Sequence, residues 1–75
     1  MPMAFVLIQS EIGSEEEVLK ELSKVEGVIE AYSVFGIYDI LAKIRADTMD
    51  NLKDIITWHI RRLNKVNSSL TLIVM

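Results

Sequence analysis

The residues of this chain that could carry chemistry are few. There is one histidine, His59, one tryptophan, Trp58, no cysteine, and a carboxylate, Asp39, set just after a glycine in Val34-Phe35-Gly36-Ile37-Tyr38-Asp39-Ile40. Without cysteine there is no thiol nucleophile, thiolate metal site or disulfide. A lone histidine with no second one at ligand spacing builds no zinc centre without carboxylates placed to join it. The serines at 10, 14, 23, 33, 68 and 69 sit in no nucleophile elbow, and no glycine-rich phosphate loop occurs among only three glycines. Asp39 is the residue hardest to dismiss. It stands at the mouth of a strand beside free backbone groups, where a carboxylate either holds an ammonium group or orders the turn. Gly36 reads as the turn residue, free to take positive φ.

On a helical wheel His59 falls among Leu52, Ile56 and Leu63, inside an apolar stripe. Two readings stand open: a hydrogen-bonded histidine in a core or interface, or a ligand or general base beneath a helix. Trp58 lies off that stripe, as a surface aromatic or an anchor in an oligomer contact. Glu15, Glu16 and Glu17 read as a capped helix start, and Arg61 and Arg62 as cations that suit a helix C-terminus.

The elements that position these groups follow from spacing. Met3 to Gln9 is a short apolar run closed by a turn at Ile12-Gly13, a strand. Ser14 with Glu17 forms a capping box, and Val18, Leu19, Leu22 and Val25 follow at helical spacing to a stop at Gly27, which takes positive φ. A strand from Val28 to Phe35, the Gly36 turn and a strand from Tyr38 to Ala46 come next. Asp47 or Thr48 caps a second helix to about Leu63, with Met49, Leu52, Ile55, Ile56 and Ile60 in its stripe. After Asn64 to Asn67, Leu70 to Met75 makes the last strand. The order β-α-β-β-α-β predicts an α+β, ferredoxin-like fold: a four-stranded antiparallel sheet, first and third strands central, helices on one face.

The chain has 75 residues, 51% of them hydrophobic, and a net charge of −3. That is one domain, 1–75, with too little size to be robust alone and no basic stripe for nucleic acid. No run is long enough to span a bilayer, and no secretory leader is present, so a cytoplasmic, non-membrane protein is expected. The strands do not alternate. Phe5 and Leu7 oppose Ala4, Val6 and Ile8, and Leu70, Leu72 and Val74 oppose Thr71, Ile73 and Met75. Both sheet faces are therefore apolar, and the face without helices demands cover. A second copy packed sheet on sheet, a two-fold dimeric α+β barrel, supplies it.

Taken together, the opening Ala4-Phe5-Val6-Leu7-Ile8-Gln9, the segment Val25-Glu26-Gly27-Val28-Ile29-Glu30-Ala31-Tyr32, the turn Gly36-Ile37-Tyr38-Asp39 and the closing Thr71-Leu72-Ile73-Val74 carry a resemblance. The whole chain resembles the C-terminal effector domain of the Lrp/AsnC transcription regulators, also called the regulation-of-amino-acid-metabolism (RAM) domain. The resemblance implies dimers that associate further, commonly as four dimers, with a small amino-acid effector in clefts between them. It implies that Gly36, Tyr38 and Asp39 bind ligand from one subunit, and Ser69 and Thr71, before the last strand, from the next. Ser69 stands where threonine is usual, which bears on effector size. No helix-turn-helix precedes the first strand, so a stand-alone effector domain without direct DNA binding is expected, acting through its assembly or through full-length regulators. No cofactor, metal or catalytic residue is expected. The rival readings are a small dimeric barrel enzyme of monooxygenase type using His59, and a purely structural oligomerisation partner.

Overall fold

Alternation along the strands decides how the sheet is layered. The computed structural model describes all residues, Met1 to Met75. Strand β1 (Met3–Ser10) leads to helix α1 (Glu15–Ser23), strands β2 (Val28–Ser33) and β3 (Ile40–Arg45), helix α2 (Met49–Asp54) with a π-helical continuation (Ile55–Ile60), and strand β4 (Val66–Ile73). The strands lie in the order β2-β3-β1-β4, and every neighbouring pair is antiparallel. The expected ferredoxin-like arrangement is therefore the one observed, with β1 and β3 central.

Ala4, Val6 and Ile8 of β1 and Ile40, Ala42 and Ile44 of β3 are fully buried. They pair directly across the two strands, Ala4 with Ile44, Val6 with Ala42 and Ile8 with Ile40. Val18 and Leu22 of α1, and Leu52, Ile56 and Ile60 of the second helix, close over that face. Only 13 residues are buried, a core whose size keeps the isolated chain near the lower limit for a stable domain. On the opposite face Leu70, Leu72 and Val74 are 43%, 50% and 42% exposed. They stand beside the half-buried Phe5 and Leu7 of β1, with Leu70 opposite Leu7 and Leu72 opposite Phe5.

Several local expectations are corrected. Ser14 does occupy the N-cap of α1, yet its hydroxyl makes no cap bond. Its N–H donates to the Glu11 carbonyl at 3.0 Å, so Glu17 has no orphan donor to reach back to. Of Asp47 and Thr48, the cap is Thr48, whose Oγ1 accepts from the Asn51 N–H at 3.1 Å. Strand β4 begins at Val66 rather than Leu70. Lys65 takes φ 72° to redirect the chain, and its carbonyl accepts from the Glu11 N–H at 2.8 Å.

The second helix changes pitch. From Ile55 its bonds close over five residues, as in Arg61 N–H to the Ile56 carbonyl at 2.9 Å. That wider turn brings Ile55 and Ile60, five apart, together with Ile56 against the core. It also carries His59 out of the stripe, so His59 is exposed rather than buried. Trp58 is exposed too, with the Arg62 guanidinium 4.5 Å from its ring centre, a cation–π contact at the surface. Met49, expected in the apolar stripe, is exposed.

Candidate functional site

The glycine turn is broader than a tight hairpin. Strand β2 stops at Ser33 and β3 starts at Ile40, leaving the six residues Val34 to Asp39 as a loop. The Val34 N–H donates to the Asp39 carbonyl at 2.9 Å and closes it. Gly36 does not take positive φ, which in this chain belongs to Gly13, Gly27 and Lys65. Nor is Gly36 crowded: an added Cβ would meet only the Tyr38 carbonyl oxygen, at 3.8 Å. The expected reason for this glycine is thereby overturned, since neither backbone conformation nor packing within the chain requires it. Phe35 and Ile37, on either side, project almost wholly into solvent.

Asp39 is half-buried and tied to the end of β1. Its Oδ1 accepts from the Ser10 N–H at 3.0 Å and its Oδ2 from the Ser10 hydroxyl at 2.8 Å, while its own N–H donates to the Ile8 carbonyl at 3.0 Å. The carboxylate so continues the β1–β3 ladder with side-chain oxygens in place of a backbone carbonyl. Ser10 is the one polar residue in the buried set. Its partner explains how it can be there, because a buried hydroxyl without one is costly. A second brace runs over the open face. Gln9 Nε2 donates to the Ile37 carbonyl at 3.3 Å, and the Ser68 hydroxyl donates to Gln9 Oε1 at 3.2 Å. The loop is in this way linked through β1 to β4.

Ser69 and Thr71 lie within β4, not ahead of it, opposite Ile8 and Val6. They share the helix-facing side of the sheet with those buried residues and are themselves half-buried. Ile8 pairs with Ile40 on one side and Ser69 on the other. Ser69 therefore sits two strand spacings, about 10 Å, from the start of β3. Within one chain Gly36, Tyr38 and Asp39 lie together at one end of the sheet. Ser69 is near that end, Thr71 a further two residues along, and the five do not close into one pocket.

Sequence reasoning passed over Gln9, Ser10 and Ser68. Ser10 did leave a trace: it follows Ala4, Val6 and Ile8 at the same period of two, so a hydroxyl falls at a core-facing position and must find a partner.

Elsewhere on the open face the Tyr32 hydroxyl donates to Glu30, whose carboxylate is 4.0 Å from Lys43 Nζ. The hydrogen bond to Glu30, and then its negative charge, raise the Tyr32 phenol above its ordinary value. A groove of about 790 Å³ lies between Gly27, Arg45, Asp54 and His59, away from the Gly36 loop. It is open, its rim mixes both signs of charge, and no three potential metal ligands cluster anywhere in the chain. No helix is long and apolar enough to cross a membrane.

Comparison with known proteins gives a family and a fold. Residues 3–75 match the model of the Lrp/AsnC ligand binding domain. An HTH-type transcriptional regulator of Pyrococcus furiosus is 33% identical over 73 residues. That alignment takes in 93% of this chain and 49% of the regulator, so the chain spans about half its length. Among solved structures, FFRP-DM1 superposes with a TM-score of 0.95 at 36% identity, covering 100% of both chains. AsnC of E. coli superposes at 0.90 with 27% identity, over 99% of this chain and 50% of AsnC.

Proposed function

The chain belongs to the Lrp/AsnC ligand-binding domain family, and from that premise we propose that it is an oligomerising module that senses a small amino acid. It is a regulatory ligand-binding domain and not an enzyme, since its relatives are transcription regulators. His59 is exposed, at an open groove, rather than enclosed beneath the helix as a barrel-enzyme reading requires.

The observation that carries the proposal is Gly36. A glycine that the chain itself does not require is explained if something outside the chain packs against that backbone. The flanking Phe35 and Ile37 await the same neighbour. In this reading Gly36 and Tyr38, on the loop that Asp39 ties to β1, form one side of a cleft, and Ser69 and Thr71 of an adjoining subunit form the other.

The uncovered sheet supports the dimer that such an assembly starts from. Four strands of up to eight residues make a face of roughly 19 by 26 Å, about 500 Å² per copy and about 1,000 Å² for a pair. That reaches the lower bound for a specific interface, and its apolar β1–β4 half is the kind of surface that obligate contacts bury. Dimers then associate, up to four of them, through the loop end. A ligand that binds only where two dimers meet stabilises the assembly containing that cleft. At a hundred times its dissociation constant it contributes ~2.7 kcal/mol per site. Mixing with full-length regulators of the same family would carry the signal to DNA.

The test pairs sedimentation with a thermal-shift panel of the twenty amino acids at millimolar concentration. At least one amino acid should raise the melting temperature and the sedimenting mass together. A chain that sediments as a monomer at micromolar concentration defeats the assembly, and a panel without any response defeats the sensor.

A further inference from the structure

We infer that Asp39 is a positioning residue, and that the amino acid taken by the cleft carries an uncharged, apolar side chain. This rests on the cleft reading above. Asp39 is the only charged residue among Val34 to Asp39. Both its oxygens are turned toward β1, one on the Ser10 N–H and the other on the Ser10 hydroxyl. Glu11, on the turn that follows Ser10, has a cation of its own in Lys65, at 3.9 Å. With Asp39 engaged, the loop presents to a ligand only backbone groups, the Tyr38 phenol and the apolar Val34, Phe35 and Ile37.

Those backbone groups suit an α-ammonium. The carbonyls of Ile37 and Asp39 are occupied, by Gln9 and by the Val34 N–H. Those of Gly36 and Tyr38 accept no hydrogen bond within the chain, and they flank the site left open by the missing Cβ. An ammonium needs acceptors and finds them there. A second cation, on a basic side chain, would lose its hydration beside Phe35 and Ile37 without gaining a partner, which disfavours it. The Ser10–Asp39 pair acts through geometry: it fixes where the two carbonyls stand.

Asparagine separates the two roles of Asp39. Its carbonyl can accept from the Ser10 N–H and its amide can donate to the Ser10 hydroxyl, so the brace survives while the charge is lost. Amide-resolved NMR spectra and amino-acid titrations are to be compared for wild type, Asp39→Asn, Asp39→Ala and Ser10→Ala. In Asp39→Asn the amides of Gly36 to Tyr38 should overlay wild type. The affinity for the responding amino acid should stay within about threefold, a difference under 1 kcal/mol. In Asp39→Ala and Ser10→Ala the same amides should move or broaden and the affinity should fall at least about tenfold. Leucine, methionine or another apolar amino acid should respond, and lysine and arginine should not. A tight response to lysine or arginine, or an Asp39→Asn variant with wild-type loop resonances and no binding, overturns the inference. Loop resonances unmoved in Asp39→Ala overturn it as well. Should no amino acid bind the wild type, the sensor reading fails, while the spectra still decide whether Asp39 braces the loop.

Discussion

Replacing Gly27 and Gly36 by alanine, one at a time, sets a fold-determined glycine against one the fold leaves free. Gly27 has φ 101°, and an added Cβ would stand 2.7 Å from Ile55 Cδ1 and 3.1 Å from the Arg45 carbonyl oxygen. The left-handed backbone costs a non-glycine residue about 1–2 kcal/mol. Overpacking against Ile55 and a fixed backbone oxygen adds about 1–3 kcal/mol. The smaller entropy of the unfolded alanine chain returns at most about 1 kcal/mol. The balance is a loss of about 1–5 kcal/mol, from a total of roughly 4–11 kcal/mol for a domain of this length. At about 4–8 °C per kcal/mol for small domains, Gly27→Ala should melt at least about 4 °C below wild type. Gly36→Ala has neither penalty, because its φ is not positive and its nearest neighbour is 3.8 Å away. The folded chain should tolerate it within about 0.5 kcal/mol. The assay is thermal melting by circular dichroism across a dilution series, since association adds stability that depends on concentration. At the dilute limit only Gly27→Ala should be destabilised. At high concentration Gly36→Ala should lack the stabilisation and the higher sedimenting mass of the wild type. A Gly27→Ala variant that melts with the wild type would refute the packing argument. A Gly36→Ala variant that assembles and binds normally would refute the claim that the glycine serves a neighbour.

The other expectations are more local. Leu72→Asp, on the open face, should convert a dimer to a monomer in sedimentation. The leucine is half-exposed in one chain, so its loss from both copies removes about 2 kcal/mol before the cost of burying charge, roughly thirtyfold or more in dissociation constant. Thr48→Ala should destabilise by about 1 kcal/mol because a cap bond is lost, whereas Ser14→Ala, with none to lose, should change melting little. His59→Ala should be near neutral and Ile60→Ala should cost about 2–5 kcal/mol, by urea denaturation, although the two are neighbours in sequence. Finally, the Tyr32 phenol should ionise above its ordinary 10.0 in an alkaline absorbance titration. The bond to Glu30 is present while the phenol is protonated, so its contribution holds below pH 10 and is lost as pH rises through the raised value. Glu30→Gln should bring the midpoint back down.

The fold was legible because the elements of this chain are short and clearly bounded. Apolar runs closed by turn residues and the helical stripe of α1 were enough to order the elements, and the uncovered apolar face followed from strands that do not alternate. Where the reading missed, several residues competed for one group. Ser14 and Glu17 have the capping-box spacing, but Glu11 had already taken the Ser14 N–H. His59 has the position of a core residue on an α-helical wheel, but the helix widens at Ile55 to place Ile60 against the sheet. Gly36 looked like a turn glycine because a sequence gives no φ.

For the candidate site the division is similar. The sequence by itself determined that a glycine, a tyrosine and an aspartate stand between two strands of a small α+β sheet, and that a second apolar face needs cover. It determined also that no thiol could be present. Only the tertiary structure decided what the aspartate is bonded to. Ser10 lies 29 residues away, and the two meet because antiparallel pairing of β1 with β3 puts the end of one strand beside the start of the other. Contacts of that range depend on strand register, which no local propensity encodes. The same pairing sharpened the meaning of Gly36: with its neighbours placed, nothing in the chain fills the space beside it.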